Sequence, residues 1–384
     1  MKNNKPKIRF KDFTGPWEQR KLRELVDVCN GRDYKHLKEG TIPVYGTGGY
    51  MLSVNEALSY DKDAIGIGRK GTIDKPYILY APFWTVDTLF YAIPAEKFDL
   101  NFAFDIFQNI DWKMKDESTG VPSLSKTAIN NIDIFIPKYY EQQFIGRLFS
   151  NLDNLITLHQ RKCDNLKKIK KAMLEKMFPK NGNSVPDVRF KGFTDDWEQR
   201  KLRDIVGIYD GVHQTPKYQD GGIMFLSVEN IATLHSSKYI SEEDFKRDYK
   251  VYPQENDILM TRIGDVGTTN VVTDNGLKAY YVSLALLKYR STNPFFLSNA
   301  IQSDYVQNGL ANRTLKTAIP MKINKDEIGK VDVMLPTSTD EQVQIGTYFR
   351  NLDNLITLHQ RKVENLKKIK KAMLEKMFPK EDLI

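Results

Sequence analysis

Cysteine is scarce, with Cys29 and Cys163 the two in 384 residues. That supply cannot build a disulfide framework or a thiolate zinc site, and Val363 replaces Cys163 where the sequence repeats itself, as suits a buried apolar position. The five histidines form no metal-spaced cluster. No apolar run approaches the roughly twenty residues of a membrane span, and the opening MKNNKPKIRFKDF lacks the apolar core of a secretory signal, so the chain is expected in the cytoplasm. Motifs that carry chemistry are missing as well: there is no G-x-x-x-x-G-K-[ST] phosphate loop, no His-Glu-x-x-His and no Ser-His-Asp grouping. Gly66, Gly68 and Gly71 fit G-x-G-x-x-G, but the strand-like TIDKPYILY follows where a dinucleotide site needs a helix.

What is present is repetition. Residues 151–180 and 351–380 are thirty-residue copies with two differences. Apolar residues recur mostly three or four apart among strong helix formers, from Leu148 just before the first copy through Leu152, Leu155, Cys163, Leu166, Ile169, Met173 and Met177, and the second copy has Leu352, Leu355, Leu366 and Met373 in the same stripe. This spacing predicts one long helix per copy, ended by Pro179 or Pro379 and spanning roughly 55 Å at about 1.5 Å per residue. The best partner for such a stripe is the other copy, so the two are expected to pack as a coiled coil about an internal pseudo-two-fold axis. A compact segment between them makes the pair antiparallel, with a head at each end.

A second repeat frames the chain: IRFKDFTGPWEQRKLRELV at 8–26 returns as VRFKGFTDDWEQRKLRDIV at 188–206. Between frame and coil the halves diverge but keep one plan. Strand-like TIPVYGTGGYMLSV, DAIGIGRKGTI and PYILYAPFWTVDTLFYAI precede a helix at FDLNFAFDIFQNI; IMFLSVENI, DILMTRIGDVGTTNVV and AYYVSLALLKYR precede one at PFFLSNAIQSDYV. The expected fold is α+β, with mixed-sheet domains at 1–140 and 181–340 and coil helices at 141–180 and 341–384. Asn293-Pro294-Phe295-Phe296 falls one proline short of the Asn-Pro-Pro-aromatic site of adenine methyltransferases and reads as a capped helix start.

The net charge of +8 is concentrated in the coil, since each thirty-residue copy has eight Lys or Arg against three acids. A solvated helix face and a surface for an acidic partner both fit this. Arg69 and Lys70 on a glycine-flanked turn, and Arg262 in the corresponding place of the second half, could reach an anion or a base edge. Tyr45-Gly46-Thr47-Gly48-Gly49-Tyr50 offers exposed backbone between aromatic residues, as a ligand surface or as a plain turn.

These features together resemble the specificity (S) subunits of type I restriction-modification systems over essentially the whole chain. The carriers are the W-E-Q-R-K-L openings at Trp17 and Trp197, Y-G-T-G-G, I-G-R-K-G, V-P-S-L-S-K, D-I-L-M-T-R-I-G, the Glu-Gln openings at 141 and 341, and the duplicated coil. The resemblance implies a non-catalytic reader of double-stranded DNA with two target recognition domains, each reading half of a split site, and the helices as spacer. It implies two methyltransferase (M) subunits and restriction/translocase (R) subunits as partners, which bring S-adenosylmethionine, ATP and Mg. By position it assigns DNA contacts to Thr47, Gly48, Gly49, Tyr50, Arg69, Lys70, Ser123 and Lys126. In the second domain it assigns Gln214, Thr215, Ser227, Glu229, Asn230, Arg262, Asn312, Arg313 and Lys316. Two other classes stay open: a coiled-coil DNA-binding or scaffold protein without methyltransferase partners, and an enzyme with an unrecognised site.

Overall fold

The computed structural model describes residues 5–180 and 182–379. The chain forms two compact units: one takes in residues up to Gln160 and from Gln360 onward, the other Arg161–His359. In the first unit β1 (Glu18–Lys21), α1 (Leu22–Leu25) and β2 (Val26–Asn30) lead into a hairpin of β3 (Glu39–Gly46) and β4 (Gly49–Val54). Then come β5 (Ala64–Gly68), β6 (Tyr77–Leu79), β7 (Trp84–Thr85), β8 (Leu89–Pro94) and α2 (Leu100–Asn109), and finally α3 (Lys126–Asn130), β9 (Asp133–Ile136) and α4 (Tyr139–Lys176). The sheets run β2-β8-β5-β6 and β4-β3-β7, with β1-β9 as a separate pair. β5, Ala-Ile-Gly-Ile-Gly, is buried along its whole length, as befits an inner strand without polar side chains.

The second unit repeats this order with different residues. It has β10 (Glu198–Lys201), α5 (Leu202–Ile205), β11 (Gly207–Asp210), β12 (Ile223–Leu226), β13 (Tyr239–Ile240) and α6 (Glu242–Asp248). β14 (Ile258–Thr261), β15 (Thr269–Val271), β16 (Lys278–Tyr280) and β17 (Leu284–Lys288) follow, then α7 (Pro294–Ile301), α8 (Asp304–Arg313), α9 (Lys325–Gly329), β18 (Asp332–Leu335) and α10 (Thr339–Met377). Its sheets are β11-β17-β14-β15, β13-β12-β16 and β10-β18, strand for strand the order of the first unit. The single helix expected over PFFLSNAIQSDYV is in fact two. Ser303 turns extended, with ψ 152°, and its hydroxyl donates to the Ala300 carbonyl at 2.6 Å, which ends α7 and starts α8.

The Glu-Gln pair that opens each long helix is a socket for the domain behind it. Buried Glu141 receives both Arg9 Nε at 2.6 Å and Arg9 Nη2 at 2.7 Å, and Glu341 receives Arg189 at 2.7 and 2.8 Å, a forked pairing that fixes orientation. Gln142 accepts from the backbone N–H of Asp99, and Gln342 from that of Asn293. One turn on, a Cβ at Gly146 or Gly346 would lie 2.5 Å from the capping oxygen of Asp99 or Asn293. Glycine lets each long helix close onto the N-terminus of α2 or α7.

Each unit is completed by the end of the other long helix. In the first, Lys370 on α10 bonds Asp153 on α4 at 2.5 Å and the Phe378 ring lies 6.2 Å from Phe149. In the second, Lys170 bonds Asp353 at 2.7 Å and Phe178 lies 5.8 Å from Phe349. Within each unit, then, the two helix segments run antiparallel. The buried face of α10 carries Ile345, Phe349, Leu352, Ile356, Val363, Lys370 and Met377, steps that add to sevens and mark a heptad seam. This corrects two expected packing residues: Leu155 and Leu355 are 44% and 43% exposed. Adjacent apolar residues at 155–156 and 355–356 offer two registers, and the heptad period favours the second of each pair. Leu148, Leu152 and Met373 pack into the first unit's core, and Leu166, Met173 and Leu352 into that of the second. Leu366 is half-buried.

Candidate nucleic-acid interface

In the first unit the loop leaving β2 is pressed onto its neighbour. Gly31 N–H donates to the Leu89 carbonyl at 3.1 Å and Arg32 N–H to Thr85 at 2.8 Å, and a Cβ on Gly31 would stand 2.0 Å from the Val86 oxygen. Only glycine allows that approach. Gly211 holds the matching place in the second unit, 2.4 Å from the Tyr280 oxygen by the same measure. Asp33, Tyr34 and Lys35 then wall a cleft of 740 Å³ whose other sides are Thr47–Met51 and Val86–Thr88. The Tyr77 hydroxyl, pushed up by burial and so kept protonated, donates to the Gly46 carbonyl at 2.6 Å and fixes the hairpin tip. Tyr50 stays 63% exposed with its ring edge-on to Tyr45.

Thr88 joins this cleft to a cationic turn. Its carbonyl accepts from the N–H groups of Arg69 at 2.8 Å and Lys70 at 3.3 Å, while Gly71 N–H donates to Pro122 and Leu124 N–H to Arg69. Thr47, Gly48, Gly49, Tyr50, Arg69, Lys70 and Ser123 thus lie along one connected stretch. The Ser123 N–H is held by Asp116 at 2.9 Å, so Ser123 secures the loop it belongs to. Lys126 opens α3 with its ammonium 3.9 Å from Asp27.

In the second unit Gln214 and Thr215, on the loop after Gly211, line a cleft of 690 Å³ with His213, Lys217 and the α6 residues Asp244 and Arg247, so the two clefts share the wall after the glycine and differ in the others. Arg247 is spoken for, paired with Asp244 at 2.7 Å and Asp248 at 2.8 Å. Asn230 is likewise internal: its carbonyl oxygen holds Ser227 N–H at 2.9 Å and its amide donates to His235 O. Glu229 pairs with Lys238 at 2.6 Å, which holds its carboxyl below the usual range. Arg262 is the clear correction. It is 5% exposed, with Nε donating to the Ile323 carbonyl and Nη1 to Asp210. A guanidinium buried and bonded in this way is turned into the fold, where it ties the end of β14 to β11. Arg313 pairs with Glu327 at 3.2 Å, whereas Asn312 and Lys316 stand exposed.

The sequence reading missed Asp33, Tyr34, Lys35, Asp87, Thr88, His213 and Lys217. The signal was available: Gly31 and Gly211 match across the frame repeat, and the residues after them, Arg-Asp-Tyr-Lys and Val-His-Gln-Thr, are mostly polar and unlike. Side chains of this kind suit base edges, with Gln for adenine, Lys for guanine, Asp for the cytosine amine and Thr for any of them. Among the described residues no group of His, Cys, Asp and Glu is gathered as a metal site, and no helix is long and apolar enough to cross a membrane.

Comparison with known proteins adds a family. Residues 14–168 and 194–368 each match the model of the type I restriction modification DNA specificity domain. The type I restriction enzyme MjaVIII specificity subunit of Methanocaldococcus jannaschii is 24% identical over 277 residues, 68% of this chain and 65% of the relative. The putative type I restriction enzyme MjaX specificity subunit of the same organism is 21% identical over 286 residues, 66% of this chain and 60% of the relative. The chain thus spans just under two thirds of the length of these relatives. The crystal structure of the type I restriction-modification system S subunit from M. genitalium superposes with a TM-score of 0.76 at 14% identity, covering 98% of this chain and 99% of that one. At that identity the likeness concerns the fold.

Proposed function

Since the chain belongs to the family of type I restriction modification DNA specificity domains, we propose that it is the non-catalytic subunit that reads DNA for a type I restriction-modification complex. Each unit reads one half of a split site on double-stranded DNA, and the long helices set the gap and dock the methyltransferase subunits. S-adenosylmethionine, ATP and Mg belong to the methyltransferase and restriction subunits, and the complex works on cytoplasmic DNA. The observation that carries this reading is the pair of clefts: matching glycines on one topology present two different sets of polar side chains, Asp33-Tyr34-Lys35 against His213-Gln214-Thr215. A duplicated frame with unlike readers is what a site with two different halves requires.

The test replaces residues 27–120 with the corresponding segment of a related subunit, co-expresses the hybrid with its methyltransferase, and maps methylated adenines across a genome. One half of the methylated sequence should change while the other stays. A simultaneous change of both halves would overturn the assignment of one half-site to each unit, and methylation that persists without this gene would remove the chain from the reaction.

A further inference from the structure

Exposed apolar residues stand on the loop before α3 and on the loop before α9, where Leu315 and Met321 accompany Ile319. Ile319 is 100% exposed and Val121 58%, and each precedes a proline, Pro320 or Pro122, on the equivalent loop of its unit but one residue out of register, since Met321 stands where Pro122 does. Exposed β-branched residues are ordinary when scattered singly; these two recur on the same loop of two divergent inserts, and backbone bonds hold both loops in place. In the first unit Gly71 N–H donates to Pro122 O at 2.8 Å and Leu124 N–H to Arg69 O at 2.9 Å. In the second, Leu315 N–H donates to Lys322 O and Gly264 N–H to Met321 O, both at 2.8 Å, and Ile323 N–H to Arg262 O at 3.0 Å.

The surrounding charge points to the partner. Beside Val121 the exposed cations are Arg69 and Lys70, on the turn after β5. In the second unit that turn has lost its cation, because Arg262 is buried, and Lys316 and Lys322 are exposed on the tip loop itself. Each tip therefore keeps two cations drawn from different segments of sequence. An apolar point with lysine or arginine at its base matches the stacked bases and flanking phosphates of a duplex, where Ile, Val or Pro can enter between base pairs and unstack them. We infer that Ile319-Pro320 and Val121-Pro122 are wedges, each entering the duplex at the half-site its unit reads. The inference rests on the DNA-reading assignment and adds to it a distortion of the DNA.

The experiment uses the full chain and duplexes carrying the mapped half-sites. 2-Aminopurine placed at successive positions reports unstacking, and energy transfer between end labels reports bending. Wild type should brighten 2-aminopurine at one step of the second half-site and bend the duplex. Ile319→Ser, at a fully exposed position where folding is not at stake, should abolish both signals and weaken binding by roughly tenfold, the scale of leaving one large apolar side chain unburied. Ile319→Leu should restore them. Lys316→Ala with Lys322→Ala should weaken binding and flatten its salt dependence while leaving the distortion intact at saturation. An undistorted wild-type complex, or one in which Ile319→Ser leaves the distortion unchanged, overturns the wedge. So does an Ile319→Ser chain that distorts DNA normally but no longer co-purifies with the methyltransferase, since the tip is then a protein contact. Failure of the wild-type chain to bind any half-site duplex defeats the DNA-reading assignment itself, a result distinct from binding without distortion.

Discussion

Asp105 and Asn299 hold the same place on α2 and α7, six residues past the capping Asp99 and Asn293, and each is buried with one side-chain oxygen unmatched. Burial pushes the Asp105 carboxyl well above its ordinary 3.8; Lys370 opposes the rise, and Asp153 and Asp99 add to it. A proton held more tightly by the folded than by the unfolded chain stabilises the first unit fully below about 3.8, and that contribution is lost as pH climbs through the folded-state value. Asp105→Asn removes the titration and copies the second unit. Calorimetry should find that the first unit's melting temperature falls with rising pH in wild type and much less in the variant; equal slopes would show that Asp105 is not the titrating group. Single residues were also the least legible scale in the sequence. Arg69 and Arg262 sit in matching contexts beside glycines, yet the first is exposed and the second is internal. The difference lies in Asp210 and the Ile323 carbonyl, 52 and 61 residues away, and no local pattern carries that information.

At the scale of elements the sequence was far more readable, because strand alternation and helix periodicity are local. Both long helices, the β3–β4 hairpin and the α+β plan of each half could be read directly. The stripe's register could not, since Leu155-Ile156 and Leu355-Ile356 satisfy either phase until packing chooses. The heptad seam makes a sharp contrast between neighbours. Ile356→Ala, at an 8% exposed position, should cost about 2 kcal/mol or more, whereas Leu355→Ala should stay within about 0.5 kcal/mol. Denaturant midpoints of the two variants decide it, and equal losses would mean that both phases of the stripe are packed.

For the whole molecule, the repeats announced two heads and two antiparallel helices, but setting the helices apart as segments of their own left out that the far end of each completes the other unit's core. Identical sequences cannot say which copy fills which core. Because α4 passes between units at Gln160–Arg161 and α10 at His359–Gln360, seven residues inserted at each of these points leave the contacts within each unit untouched. One heptad keeps the seam in phase and adds about 10 Å. At about 3.4 Å per base pair the unread gap between half-sites should widen by roughly three base pairs, with half-site sequences unchanged and some affinity lost as the DNA twists to follow. Methylome sequencing reads the outcome, and an active variant with the original gap would mean that the helices do not set it. The exchange of ends also bears on synthesis. The core around Trp17, Phe102 and Phe149 is closed by Phe378, which leaves the ribosome more than two hundred residues after Phe149. The part of the chain made first is therefore the part finished last, and a nascent chain must hold an open aromatic core through most of its translation, in reach of chaperones.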